Sequence, residues 1–140
     1  MERMKFRSLI LGVLVLSAIG CATSNQVDEN KSEQSSGVKE ISPKQAAAEI
    51  AGGVQLIDVR SESEFEAYRV EGAKNIPLDQ FDAAIPTLDK EKPIFLVCEV
   101  GLRSTTAARK LVEAGFSDVR HIEGGLRAWE KEGLSVKEGK

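Results

Sequence analysis

"PIFLVCEVGLRSTTAARKLVEAG", residues 93–115, decides the fold of this chain. Ile94–Val97 is a continuous apolar run of strand length, which suits a parallel strand buried on both faces. The stretch from Ser104 places apolar residues at 107, 108, 111, 112 and 114, a helical spacing, and Gly115 supplies a C-terminal stop. Between strand and helix lies "CEVGLRS", with a cysteine at the carboxyl end of the strand and an arginine after four intervening residues.

The same alternation extends in both directions. Upstream, Ser42-Pro43 opens a helix with an N-cap and a proline at the first helical position, and "VQLIDV" (54–59) is another buried strand. "SESEFEAYR" reads as a short helix capped by Ser61, with Glu64 three residues on to complete a capping box. "GAKNIP" is extended, and residues 79–85 form a weak helix. Downstream, "DVRHI" is a short strand and "GGLRAWEKEG" a last helix between glycine signals. Strands alternating with helices predict an α/β fold with a mostly parallel sheet covered on both faces. In such sheets, ligands bind beyond the carboxyl ends of the strands, where Cys98 stands.

The N-terminus has a different composition. Arg3, Lys5 and Arg7 precede an apolar run over residues 9–19, followed by the small residues Ala18, Gly20 and Cys21. A bilayer span needs roughly 20 apolar residues, so this reads as a secretory signal peptide over 1–21. "LSAIGC" resembles a bacterial lipobox whose cysteine, Cys21, takes a lipid, although Ala18 stands where leucine is usual. The polar tract 22–37 suits a flexible linker, because one valine (Val27) among polar residues cannot bury enough surface to fold. The expected organisation is therefore a lipoprotein signal (1–21), a linker (22–37) and a folded domain (38–137). The protein is expected to be exported and held on a membrane by its lipid, facing the periplasm or cell exterior.

Of 19 basic and 22 acidic residues, the signal segment holds three and one, which leaves 16 against 21, or −5. That charge gives no nucleic-acid footprint and no long-range pull on anions. Any anion site must be local. With Cys21 lipidated, Cys98 is the only thiol, so it is either buried or used. A cysteine curled against a helix N-terminus meets unpaired N–H groups and roughly half a positive charge, which favour a thiolate. Gly101 lets the loop turn its amides inward, and Arg103 adds a cationic fork suited to oxyanions. Glu99 beside the thiol works against this unless it points to solvent.

Other thiol chemistries lack their partners. The single histidine, His121, falls in a strand and suits packing, so no Cys–His pair is evident, and no residue cluster suits a metal. No cofactor is expected. Cysteine phosphatases place five residues between cysteine and arginine. With four, this loop suits a thiolate carrying one extra sulfur better than a phosphate.

At this point the chain resembles the single-domain rhodaneses, a family of sulfurtransferases. "LIDVRSESEFEAYRVEGAKNIP" (56–77) resembles the family's first motif, "CEVGLRS" (98–104) its active loop and "IEGGLRAW" (122–129) its closing motif. The resemblance implies a five-stranded parallel sheet with helices on both faces. It implies that Cys98 accepts a sulfane sulfur from a small donor such as thiosulfate, forms a persulfide, and passes the sulfur to a thiol or cyanide. The loop amides of Glu99, Val100, Gly101, Leu102, Arg103 and Ser104 would hold that persulfide. Asp58 and Arg60, past a strand end, suit a bracing ion pair, and Arg69 stands where the family commonly has histidine. Trp129 suits packing. A monomer is expected. The competing reading is a non-catalytic sulfur carrier or partner-binding module, against which the intact Cys98, Gly101 and Arg103 weigh.

Overall fold

The structure, a computed structural model, describes residues 37–139. The expectations placed on the signal segment, Cys21 and the linker to Ser36 lie outside the described residues. The chain runs β1 (Val38–Ile41), α1 (Pro43–Ala51), β2 (Gln55–Asp58), α2 (Glu62–Ala67), β3 (Tyr68–Arg69) and β4 (Lys74–Asn75). It continues through α3 (Phe81–Ala84), flanked by two 3₁₀ turns, into β5 (Ile94–Val97), α4 (Leu102–Glu113), β6 (Val119–Ile122), α5 (Gly125–Lys131) and β7 (Lys137–Glu138).

Five strands form one parallel sheet in the order β1-β6-β5-β2-β4. This is the α/β, five-stranded fold expected. β5 lies at the centre, its four residues fully buried between β6 and β2. Parallel pairing needs crossovers, and the helices that make them cover the sheet. Alternation along β5 then sorts its side chains. Ile94, Leu96 and Cys98 join Ala107, Ala108 and Leu111 of α4 in one core cluster. Phe95 and Val97 join Ala46 of α1 and Leu126 and Trp129 of α5 in the other. The period of two thus assigns the Cys98 side chain to the α4 face. Each fully buried large aliphatic in these layers contributes about 1.5–3 kcal/mol.

The helix signals act as the sequence suggests. Ser42 accepts from the Gln45 amide at the start of α1, and Ser61 and Glu64 form the capping box of α2. Three features differ from the expectation. β1 is an edge strand with two exposed residues among four, so it lacks the apolar run that marks β2 and β5. The expected helix over 79–85 breaks into a 3₁₀ turn at Leu78–Gln80, the short α3, and a second turn at Ile85–Thr87 that contains Pro86. β3 and β7 make a separate antiparallel ribbon, pairing Tyr68 with Glu138 and Arg69 with Lys137.

Candidate active site

The site forms where β5 ends and α4 begins. Cys98 leaves the sheet, and Gly101 turns the chain with φ of 99°, in the left-handed region that favours glycine. That turn starts α4 at Leu102, two residues earlier than the apolar pattern indicates. It also folds amides back onto the sulfur. Gly101 N–H lies 3.1 Å and Ser104 N–H 3.4 Å from Cys98 Sγ. Ser104 Oγ lies 3.6 Å from the sulfur and donates to the Gly101 carbonyl at 3.0 Å. Thr105 Oγ1 donates to that same carbonyl at 2.7 Å. The sulfur therefore sits in a cradle of oriented N–H groups at a helix N-terminus, where negative charge is stabilised. The residue is 1% exposed.

A second helix fixes the outer side of the loop. The N–H groups of Leu126 and Arg127, in the first turn of α5, donate to the carbonyls of Cys98 (2.8 Å) and Glu99 (3.1 Å). This contact needs a bare backbone. A Cβ on Gly125 would stand 2.4 Å from the Cys98 oxygen and 2.7 Å from the Glu99 carbonyl carbon. Gly125 of the closing motif thus permits the close approach of α5 to the loop, whereas a Cβ on Gly124 would meet Ala128 of α5 itself.

Asp58 and Arg60 are both fully buried and form the expected brace. Arg60 Nε donates to both Asp58 oxygens (3.1 and 3.0 Å), and Nη2 donates to Asp58 Oδ2 (2.8 Å) and the Tyr68 carbonyl (2.6 Å). Burial works against the Arg60 charge, but the Asp58 hydrogen bonds and charge outweigh it, so its pKa is raised. Asn75, absent from the sequence-based site, links this brace to β4 by donating to the Asp58 and Arg60 carbonyls at 3.0 and 2.9 Å.

Among the described residues, Arg60 Nη1 has no hydrogen-bond partner; it is buried and faces Glu99 Oε2 at 3.7 Å. The Glu99 carboxylate also accepts from Tyr68 Oη at 2.5 Å and from Arg127 Nε at 3.3 Å. Glu99 is therefore held by three groups, with its side chain 26% exposed. Burial, then the Glu99 hydrogen bond, pushes the Tyr68 phenol up to about 12.

The Arg103 fork, read from the sequence as suited to oxyanions, holds a carboxylate of the protein itself. Its two Nη groups donate to the two oxygens of Glu64, each at 2.8 Å, tying the start of α4 to the start of α2. A bidentate pair of this kind satisfies both planar groups at once. The Arg103 hydrogen bonds, against a smaller desolvation effect, hold Glu64 down to about 2, and Glu64 in turn raises the Arg103 pKa. Arg69 packs over the Phe65 ring in the β3–β7 ribbon and donates to the Phe65 carbonyl. None of its hydrogen bonds or ion pairs among the described residues reaches the cysteine loop.

His121 lies in β6 between Thr105 (3.5 Å) and Glu40 (3.5 Å), and burial lowers its pKa despite Glu40 and Glu123. Trp129 packs in the core and donates from Nε1 to the Ser135 carbonyl. Val100 and Leu102 are the exposed large hydrophobics of the described residues, at 45% and 76% exposure. Both belong to the cysteine loop.

These features define an α/β domain with a thiol set in an amide cradle at the carboxyl end of its central strand. The Rhodanese-like domain family matches residues 42–132, and the chain belongs to that family. It is 37% identical over 91 residues to the thiosulfate sulfurtransferase GlpE of Pseudomonas fluorescens (strain Pf0-1), an alignment that covers 65% of this chain and 84% of that one. It is 39% identical over 75 residues to the uncharacterized protein YqhL of Bacillus subtilis (strain 168), covering 54% of this chain but only 60% of YqhL. Among solved structures, a rhodanese-related protein from Thermoplasma volcanium superposes with a TM-score of 0.66 at 25% identity, covering 71% of this chain and 97% of that one.

Proposed function

We propose that this protein is a sulfurtransferase that carries sulfane sulfur as a persulfide on Cys98. The observation that carries the reading is the cradle: two backbone N–H groups, from Gly101 and Ser104, converge on one sulfur at a helix N-terminus. Such donors stabilise the thiolate that must attack. They remain in place to receive charge on an added sulfur. The likeness to a protein named thiosulfate sulfurtransferase supports the same reading.

With thiosulfate, the Cys98 thiolate attacks the outer sulfur, the S–S bond of the donor breaks, and sulfite leaves with the electron pair. Cys98–S⁻ plus S₂O₃²⁻ gives Cys98–S–S⁻ plus SO₃²⁻. A nucleophile such as cyanide then takes the outer sulfur as thiocyanate and restores the thiolate. Glu99, Val100, Gly101, Leu102, Arg103 and Ser104 form the loop around this chemistry, and Asp58 and Arg60 fix its base. The protein works as a monomer on small donors and thiol or cyanide acceptors. It is exported and held to the envelope by lipid on Cys21.

Turnover of thiosulfate and cyanide to thiocyanate by the wild type and by Cys98→Ser tests the chemistry, and equal rates would refute it. Membrane fractionation of the wild type and Cys21→Ala tests the anchor. Release of the variant is expected, and retention of both in the membrane overturns the lipid attachment.

A further inference from the structure

The charges around the cradle have a consequence for the donor. Thiosulfate is a dianion, and bringing it onto a thiolate requires local positive charge. Among the described residues, three guanidinium groups border the loop, and each already has a carboxylate. Arg103 has both nitrogens on Glu64 at 2.8 Å. Arg60 is buried on Asp58, with its remaining nitrogen facing Glu99 at 3.7 Å. Arg127 lies on Glu99 at 3.3 Å. Three cations against Asp58, Glu64 and Glu99 sum to zero. The outer face of the loop instead presents Val100 and Leu102 to solvent.

We propose that Glu99 is a specificity-determining residue that directs the loop to small organic persulfides with an apolar carbon group and away from thiosulfate. The inference rests on the reading that Cys98 carries sulfane sulfur. Glu99 is fixed for this role by the Tyr68 hydroxyl, Arg60 and Arg127, and it faces the Arg60 nitrogen that no hydrogen bond among the described residues satisfies. A dianionic donor meets this carboxylate with no spare cation among the described residues to offset it. An alkyl persulfide lays its carbon chain on Val100 and Leu102 and brings one negative charge at most. The thiolate attacks its outer sulfur, the S–S bond breaks, and the alkyl thiol leaves with the proton. Cys98–S⁻ plus R–S–SH gives Cys98–S–S⁻ plus R–SH, balanced in atoms and charge with no further reagent.

The test follows the gain of one sulfur on Cys98 in the full chain by intact mass against time. Three donors are used: propyl persulfide, the persulfide of 3-mercaptopropionate, and thiosulfate. The first two share the reacting S–S bond and differ by a carboxylate. The wild type is expected to take sulfur from the propyl donor about threefold or more faster than from its carboxylate counterpart, the size of one exposed charge contact. Glu99→Gln is expected to close that gap and to raise the thiosulfate rate by a similar factor. Leu102→Ser, at an exposed position, is expected to slow the propyl donor by a larger factor than it slows thiosulfate. Equal or faster reaction of the carboxylate donor with the wild type overturns the proposal, as does an unchanged or lower thiosulfate rate in Glu99→Gln. Sulfur gain without charge discrimination refutes only the donor assignment. No gain from any of the three donors refutes the persulfide reading as well.

Discussion

Gly125→Ala is the substitution that probes the architecture of the site most severely. Three terms combine. The position has φ of 63°, and an alanine there costs about 1–2 kcal/mol in the left-handed region. Its Cβ would fall 2.4 Å from the Cys98 oxygen and 2.7 Å from the Glu99 oxygen, both backbone atoms that cannot rotate away. Relief of such overpacking typically costs about 1–3 kcal/mol. If α5 retreats to make room, the bonds from Leu126 and Arg127 to those carbonyls lengthen, at about 1 kcal/mol each. Retreat relieves the clash as it breaks the bonds, so these last two terms do not simply add. The expected loss is about 2–5 kcal/mol, a large part of the roughly 5–15 kcal/mol available to a domain. Urea denaturation followed by circular dichroism measures it. The protein that remains folded should also gain sulfur on Cys98 more slowly, because the loop carbonyls lose their restraint. A loss below about 1 kcal/mol with unchanged sulfur uptake would show that α5 does not hold the loop.

Asp58→Asn should cost about 3–5 kcal/mol, because it leaves the fully buried Arg60 charge without its main partner, and chemical denaturation reads this directly. Ser104→Ala removes one hydroxyl near the sulfur, but Thr105 also bonds the Gly101 carbonyl, so stability should fall by only about 1 kcal/mol or less in the same assay. Glu64 contributes a pH dependence with a defined sign. Its folded pKa of about 2 lies below the unfolded value near 4.5, so its contribution is present above about 4.5 and is lost as pH falls toward 2. Thermal melts across that window should fall more steeply for the wild type than for Glu64→Gln. Parallel curves would show that the Arg103 contact adds nothing to stability.

Much of the fold was legible because its central elements carry local signals. β2 and β5 are buried on both faces and so read as apolar runs, and the Ser42 and Ser61 caps act within three residues. β1 exposes Lys39 and Glu40, and the β3–β7 ribbon pairs two-residue strands about 70 positions apart, so neither has a local pattern to read. The candidate site divides in the same way. The cysteine, the glycine turn and the helix start lie within seven residues and were visible together. The Asp58–Arg60 brace was visible for the same reason, being two residues apart. The contacts that set the charge balance were not, since Glu64 lies 39 positions from Arg103, and Tyr68 and Arg127 lie 31 and 28 from Glu99. Only the folded chain shows that Arg60, Arg103 and Arg127 beside the loop are each already paired.

The central claim is that Cys98 carries sulfur, and intact-mass measurement after exposure to a sulfane donor tests it most directly. The wild type is predicted to gain one sulfur atom, lost again on adding cyanide, while Cys98→Ser gains none. An equal gain in both proteins, or no gain in the wild type from any sulfane donor, would contradict it.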